Sequence, residues 1–187
     1  MERLYLQKII AGDISKFSYF IEKYKDMAFS IAYRIINDRE DAEELVQDSF
    51  LKAFKSLHKF RQDSKFSTWF YRIIVNNSLS KLNRDKREFY DVDIDAVSNK
   101  VIEDVESVYK GLTISDQQKF INIALHELNV EDRLLLTLFY LNESSIEEIS
   151  EITDITQENL KMKIHRARKK MYIILERKLK TEIQNLL

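Results

Sequence analysis

SSIEEISEITDITQENLKMKIHRARKKMYIIL, residues 144–175, is the stretch from which the fold is read. Ser145 followed by Ile146, Glu147 and Glu148 has the composition of a helix start, with a capping hydroxyl and acids in the first turn, where the helix end favours negative charge. Thr153-Asp154-Ile155 predicts a turn. Thr156 can cap a second helix, in which Leu160, Ile164, Ala167, Met171 and Ile174 keep the four-then-three spacing of one buried stripe. A helical projection puts Lys161, His165, Arg166, Arg168, Lys169 and Lys170 largely on the opposite face. Between Lys161 and Lys170 there are six Lys or Arg and no acid. A short helix, a tight turn and a second helix with an apolar back and a cationic front is the layout that sets a recognition helix in a DNA major groove. A solvated helix whose basic end complements its own dipole is the plainer alternative.

Working outward, the whole chain of 187 residues can form one ordinary domain or two small ones. Its 44% apolar and 33% charged residues are a globular profile, and no run approaches the ~20 apolar residues of a membrane span. The start lacks the pattern of a signal peptide, so a cytoplasmic protein without membrane insertion is expected. No cysteine is present, which excludes disulfides, thiolate zinc sites and cysteine nucleophiles. With no proline and two glycines, the chain is poor in the turns that hairpins and phosphate-cradling loops use. An all-α fold follows: two small helical domains joined by an acidic linker, the second a four-helix helix-turn-helix domain.

The net charge of −1 averages unlike parts. Residues 1–90 hold 17 Lys or Arg against 13 Asp or Glu, residues 91–116 hold 2 against 7, and residues 117–187 balance at 11 against 11. The expected domains are 1–88, a flexible acidic linker 89–116, and 117–187.

In the first domain, a helix starting at Asp13 or Ser15 keeps Phe17, Phe20, Ile21, Tyr24, Ala28, Ile31, Ala32 and Ile35 on one face, and Ile36-Asn37-Asp38 ends it. A second helix from about Arg39 turns Ala42, Leu45, Val46, Ser49, Phe50, Ala53 and Leu57 inward. Its outer face holds Glu44, Gln47, Asp48, Leu51 and Lys55, so a leucine stands among charges on the water side. Single exposed leucines are common, yet an apolar residue ringed by charges can also centre a protein docking surface. Residues 57–65 read as a basic loop interrupted by Phe60. A third helix from Phe66 to Lys86, buried along Phe66, Phe70, Ile73, Ile74 and Asn77, carries Trp69, Arg72, Asn76 and Asn83 on its flank. Cations, a ring and amides on one side suit a strand whose bases are exposed; Trp69 in the core beside solvated arginines is the alternative.

Residues 88–116 are acidic through Asp91, Asp93, Asp95, Glu103, Asp104, Glu106 and Asp116, and read as a tether. Then Phe120, Ile121, Ala124, Leu125 and Leu128 form one helix face, Asn129 breaks or caps, and Val130 to Leu141 is a further, strongly apolar helix. Leu175, Leu179, Ile183 and Leu187 can prolong the last one.

The blocks from Asp41 to Phe54 (DAEELVQDSFLKAF) and from Phe66 to Asn77 (FSTWFYRIIVNN) resemble the first conserved domain of bacterial RNA polymerase sigma factors of the sigma-70 family, extracytoplasmic-function group. Ile146 to Ile149 with Leu160 to Lys169 (LKMKIHRARK) resembles their second. Both occur in the family's order, covering about residues 14–88 and 120–178. The resemblance implies a factor that binds core RNA polymerase, directs it to promoters and helps open the −10 region, with no cofactor, no metal and no catalytic residue. It implies that Asp41, Glu44, Gln47, Asp48 and Leu51 grip the clamp helices of the largest polymerase subunit, and that the flap of the second largest subunit is a further contact. It assigns His58, Lys59, Arg61 and Lys65 of the loop, with Trp69, Arg72, Asn76 and Asn83, to the −10 element. Thr156, Gln157, Asn159, Lys161, Lys163, His165, Arg166, Arg168 and Lys169 fall to the −35 element. An inhibitory anti-sigma partner is common in the group, but no residue here identifies one.

The chain also departs from the family pattern. Leu128-Asn129 replaces Leu-Pro. Lys163 stands where an arginine is usual and lacks the bidentate fork that reads guanine, which leaves the −35 preference open. Met162 projects to the polar side, where it can meet a thymine methyl or protein. A helix-turn-helix repressor or activator that binds operator DNA without polymerase is the other functional class. An enzyme is disfavoured, because His58, His126 and His165 are scattered without metal-ligand spacing and no nucleophile motif occurs.

Overall fold

A computed structural model describes residues 1–84 and 113–186 of the chain; these contain helices and turns and no strand. The helices are α1 (Glu2–Ile10), α2 (Phe17–Ile36), α3 (Arg39–Ser56), α4 (Phe66–Arg84), α5 (Ile114–Glu127), α6 (Val130–Leu136), α7 (Ile146–Thr153) and α8 (Gln157–Leu186). Their described residues pack as two units, one made of 1–84 and 137–157, the other of 113–136 and 158–186.

The first unit is built on α2, α3 and α4. Asn37 ends α2 in the left-handed conformation (φ 58°), and Asp38 then caps α3 by accepting the Asp41 amide at 3.0 Å. Two successive caps without glycine or proline turn the chain back on itself. Of the residues expected inside α2 only Ile21 is exposed, and every residue expected inside α3 is buried. Aromatic rings join the three helices, with Phe20 and Phe66 at 4.4 Å and Phe50 and Phe70 at 4.4 Å between centroids. Between α3 and α4, the Asn77 amide donates to Ser49 Oγ (2.8 Å) and its carbonyl accepts from Lys52 (2.7 Å), so this inward amide is satisfied. Ile73 is half-buried rather than buried, whereas Tyr71 and Val75, left out of the expected core face, are buried.

Ahead of the expected first helix lies α1, in a stretch where no helix is expected from the sequence. Leu6 and Ile9 are buried, and Glu2 accepts hydrogen bonds from Lys23 Nζ (2.6 Å) and Tyr24 Oη (2.5 Å), which ties α1 to α2. An isolated nine-residue helix is marginal in water, so this one depends on packing that its own periodicity does not announce.

The first unit also includes a segment from the second half of the sequence. Residues 137–157 group with it, and α7 packs on α4. Ser145 and Glu148 make a reciprocal capping box at the start of α7, and Asp154 closes it in the left-handed conformation (φ 59°). Its apolar side buries Ile149 and Ile152, and Ile152 shares a cleft of about 300 Å³ with Thr68 and Tyr71 of α4. This second covered side of α4 explains its broader burial.

In the second unit, Thr113 caps α5 through the Asp116 amide, so the last residues of the expected linker 89–116 are a helix start. The remainder of that linker lies outside the described residues, as do Asp85 to Lys86 at the expected end of α4. Asn129 caps α6 by accepting the Asp132 amide at 2.8 Å, serving in place of a proline as a defined start. Phe120, Ala124, Leu125, Leu134 and Leu135 are buried here, as are Leu160, Ile164, Ala167, Ile174, Leu175 and Leu179 of α8. The helix expected over residues 130–141 changes character midway. After Leu136 it continues as a π-helical turn, Thr137–Leu141, whose wider bonding includes Asn142 N–H to the Thr137 carbonyl at 3.1 Å.

Candidate functional surfaces

Three surfaces hold the residues singled out from the sequence. The first is the outer face of α3. Glu44, Gln47 and Asp48 are exposed, and Leu51 has 57% of its surface in solvent, so the leucine does stand among acids. Asp41 is half-buried because Lys81 of α4 reaches it at 2.7 Å, with Glu44 at 3.8 Å from the same ammonium. Lys81 therefore holds the start of this face against α4, a contribution that the periodicity of α3 could not disclose.

The second surface runs from the loop onto α4. Leu57–Lys59 is a 3-10 turn, Phe60 is extended and Gln62 has a positive φ of 62°, which leaves His58, Lys59, Arg61 and Lys65 exposed. Trp69 is half-buried. Its ring lies 5.1 Å from that of Phe60 and 5.7 Å from that of Phe66, so it forms the rim of the aromatic core with part of its surface in solvent. Trp69 thus packs partly into the core and stays partly accessible. Arg72, Asn76 and Asn83 are exposed along α4.

Two cations of this surface have acidic partners on or beside α7. The Arg72 guanidinium donates to both Asp154 carboxylate oxygens at 2.6 and 2.9 Å, and Lys65 lies 2.7 Å from Glu148. Burial opposes ionisation of Glu148, but the hydrogen bonds from Lys65 and from the Ser145 amide outweigh it and hold the carboxyl below its ordinary value. The hydrogen bond from Lys65 to Glu148 correspondingly raises the Lys65 ammonium.

The third surface is the cationic side of α8. Gln157, Asn159, Lys161, His165, Arg166 and Arg168 are exposed, together with Thr156 just before the helix. Lys163 and Lys169 are partly covered, and Lys163 pairs with Glu131 at 2.7 Å. Met162 is 55% exposed, on the polar side as expected. Lys170 is a correction to the projected face. It is only 8% exposed and donates to Asp132, itself 6% exposed, at 2.8 Å. The acid that recruits it lies on α6, so spacing along α8 gave no signal of the burial.

Among the described residues no group of three or more His, Asp or Glu is arranged to hold a metal, and no helix is long and apolar enough to cross a membrane. What the three surfaces offer is binding: an acidic face with an apolar centre, and two faces carrying cations, amides and a ring.

The family model described as Sigma-70 region 2 matches residues 20–88, and that for Sigma-70, region 4 matches residues 124–171. Similar proteins include the ECF RNA polymerase sigma-E factor of Haemophilus influenzae, 30% identical over 87% of this chain and 89% of its own length. The ECF RNA polymerase sigma factor SigW of Bacillus subtilis is 28% identical over 87% of this chain and 90% of its own. Among solved structures, the sigma factor RpoE of Bartonella quintana, determined with the anti-sigma factor NepR, has the same fold. It superposes with a TM-score of 0.65 at 20% identity, covering 86% of this chain and 96% of that one.

Proposed function

Because the chain belongs to the sigma-70 family of RNA polymerase sigma factors, in the extracytoplasmic-function group, we propose that it binds core RNA polymerase, brings it to a specific set of promoters and helps open the −10 region. The observation that carries this reading is the exposed Leu51 among Glu44, Gln47 and Asp48 in a chain that also presents cationic surfaces on α4 and α8. A protein that needed only to hold DNA would have no use for an acidic face with an apolar centre, whereas one mounted on a polymerase needs both signs of surface.

In this reading Asp41, Glu44, Gln47, Asp48 and Leu51 dock on the clamp helices of the largest subunit, with the second-largest subunit's flap as a further contact. His58, Lys59, Arg61, Lys65, Trp69, Arg72, Asn76 and Asn83 serve the −10 element, where cations hold phosphate and the accessible part of Trp69 offers a stacking surface to a displaced base. Thr156, Gln157, Asn159, Lys161, Lys163, His165, Arg166, Arg168 and Lys169 serve the −35 element in the major groove. The chain does no covalent chemistry; trapping unstacked bases offsets the few kcal/mol that each opened step costs. It works in the cytoplasm, where its polymerase is, and an anti-sigma protein is the class of partner that would restrain it. Run-off transcription on genomic fragments, with sigma-free core polymerase and with or without this chain, tests the reading. New start sites only in its presence are expected. Operator binding by the chain alone, with no new starts, would favour a repressor.

A further inference from the structure

At the N-terminal end of α8 the outermost side chains carry no positive charge. Leu160, Ile164 and Ala167 face the interior, and Lys163 and Lys170 mark the side turned to α6 by pairing with Glu131 and Asp132. Glu158 and Met162, four residues apart and so on one face, stand away from both of those sides and are exposed. Lys161 and Arg168 fall to one side of this line, Asn159 and Arg166 to the other, all of them exposed. A helix lying in a major groove turns its outermost line to the base edges, nearest at its N-terminal turns, and its flanks to the phosphates of the two strands. The flanks of α8 suit phosphate. The central line does not, because an acid repels the backbone and a thioether offers it no donor. Glu158 in the first turn also complements the dipole of α8, but that role does not set it in line with an exposed methionine.

We propose that Glu158 and Met162 read bases of the −35 element: the Glu158 carboxylate accepts a hydrogen bond from the N4 amino group of a cytosine, and Met162 packs on the C5 methyl of a thymine. The inference rests on the reading of α8 as the helix that enters the −35 major groove. A carboxylate only accepts, and in that groove only the amino groups of cytosine and adenine donate. Adenine sets its acceptor N7 beside the amino group, where it meets the second carboxylate oxygen, so cytosine is the better match. Met162 gains only from an apolar edge, and the thymine methyl is the one apolar group the base pairs present there. Four residues of helix advance about 6 Å and one base step about 3.4 Å, so the two bases lie at most about two steps apart.

The test uses the full chain on core polymerase, with a promoter recovered by run-off transcription from genomic fragments and a pool of its variants randomised across the −35 element. Sequencing the templates that yield transcript gives the preference at each position. The parent is expected to select cytosine at one position and thymine within about two of it. Glu158→Gln should cut the cytosine preference roughly tenfold and move it toward adenine, whose amino group and N7 a carboxamide matches, while affinity for unrelated duplex does not fall. Met162→Ala should level the thymine preference alone. Deoxyuridine in place of that thymine removes one methyl; it should weaken the parent about fourfold, the effect of one buried methyl, and leave the Met162→Ala protein unaffected. The deoxyuridine template with the parent needs no variant, so a variant that fails to fold does not end the test. A parent selection without the cytosine and thymine, preferences that stay the same in both variants, a loss spread evenly over all sequences, or full use of the deoxyuridine template by the parent would overturn the inference and leave the sigma-factor reading standing. No new start sites with the parent would overturn that reading itself.

Discussion

At the scale of single residues, Leu51 decides whether the α3 face docks on protein. Its exposure among acids fits an anchor that desolvates only in a complex, and Leu51→Ala should weaken association with core polymerase by about 1–3 kcal/mol, read by fluorescence titration. An unchanged titration returns it to the class of incidental exposed leucines. On α8, Lys161→Ala or Arg166→Ala should weaken duplex binding and reduce the slope of log affinity against log salt by about 1 if each meets a phosphate. Affinity measured across a salt series checks this, and an unaltered slope removes the residue from the interface. Glu2 carries a pH dependence of its own. Burial opposes its ionisation, but hydrogen bonds from Lys23 and Tyr24, with the Lys23 and N-terminal charges, hold its carboxyl below the ordinary value. Its contribution to anchoring α1 is therefore complete above the ordinary carboxylate value and is lost as pH falls through the lowered one. Amide hydrogen exchange in α1 should accelerate relative to α2 on acidification, after correction for intrinsic rates; parallel protection in the two helices would contradict it.

At the scale of elements, the buried Asp132–Lys170 pair joins α6 to α8. Removing one partner leaves the other charge buried, so Lys170→Met should cost about 3–5 kcal/mol of stability in urea denaturation. Combining it with Asp132→Leu should recover a large part of that loss, because two apolar side chains carry no desolvation penalty. No recovery would mean that the pair matters through another partner. Much at this scale was legible in the sequence. The inner faces of α2 and α3, the Asn129 cap, the capping hydroxyl of Ser145 and the turn at Thr153-Asp154-Ile155 depend on residues within a few positions of one another. The miss over α1 has the opposite cause, since its hold on α2 comes from Lys23 and Tyr24, about twenty residues away.

At the scale of the whole molecule, two modules that bind DNA weakly gain from acting together once a polymerase fixes their spacing. The free chain should therefore bind promoter DNA poorly and the complex bind it specifically. Equal promoter affinity with and without core polymerase, at one salt concentration, would contradict this. Periodicity, caps and charge segregation sufficed by themselves to determine an all-helical protein, the leucine among acids on α3 and a cationic side on α8. Each of these is a property of neighbours along one helix, and the geometry of a helix is known in advance. Only the tertiary structure decided that Lys170 is buried, that Lys81 reaches Asp41, that α4 is covered on a second side, and that Lys65 and Arg72 meet Glu148 and Asp154. Those outcomes join residues some 38 to 83 positions apart, and a charge on a helix surface does not reveal which distant element will pack over it.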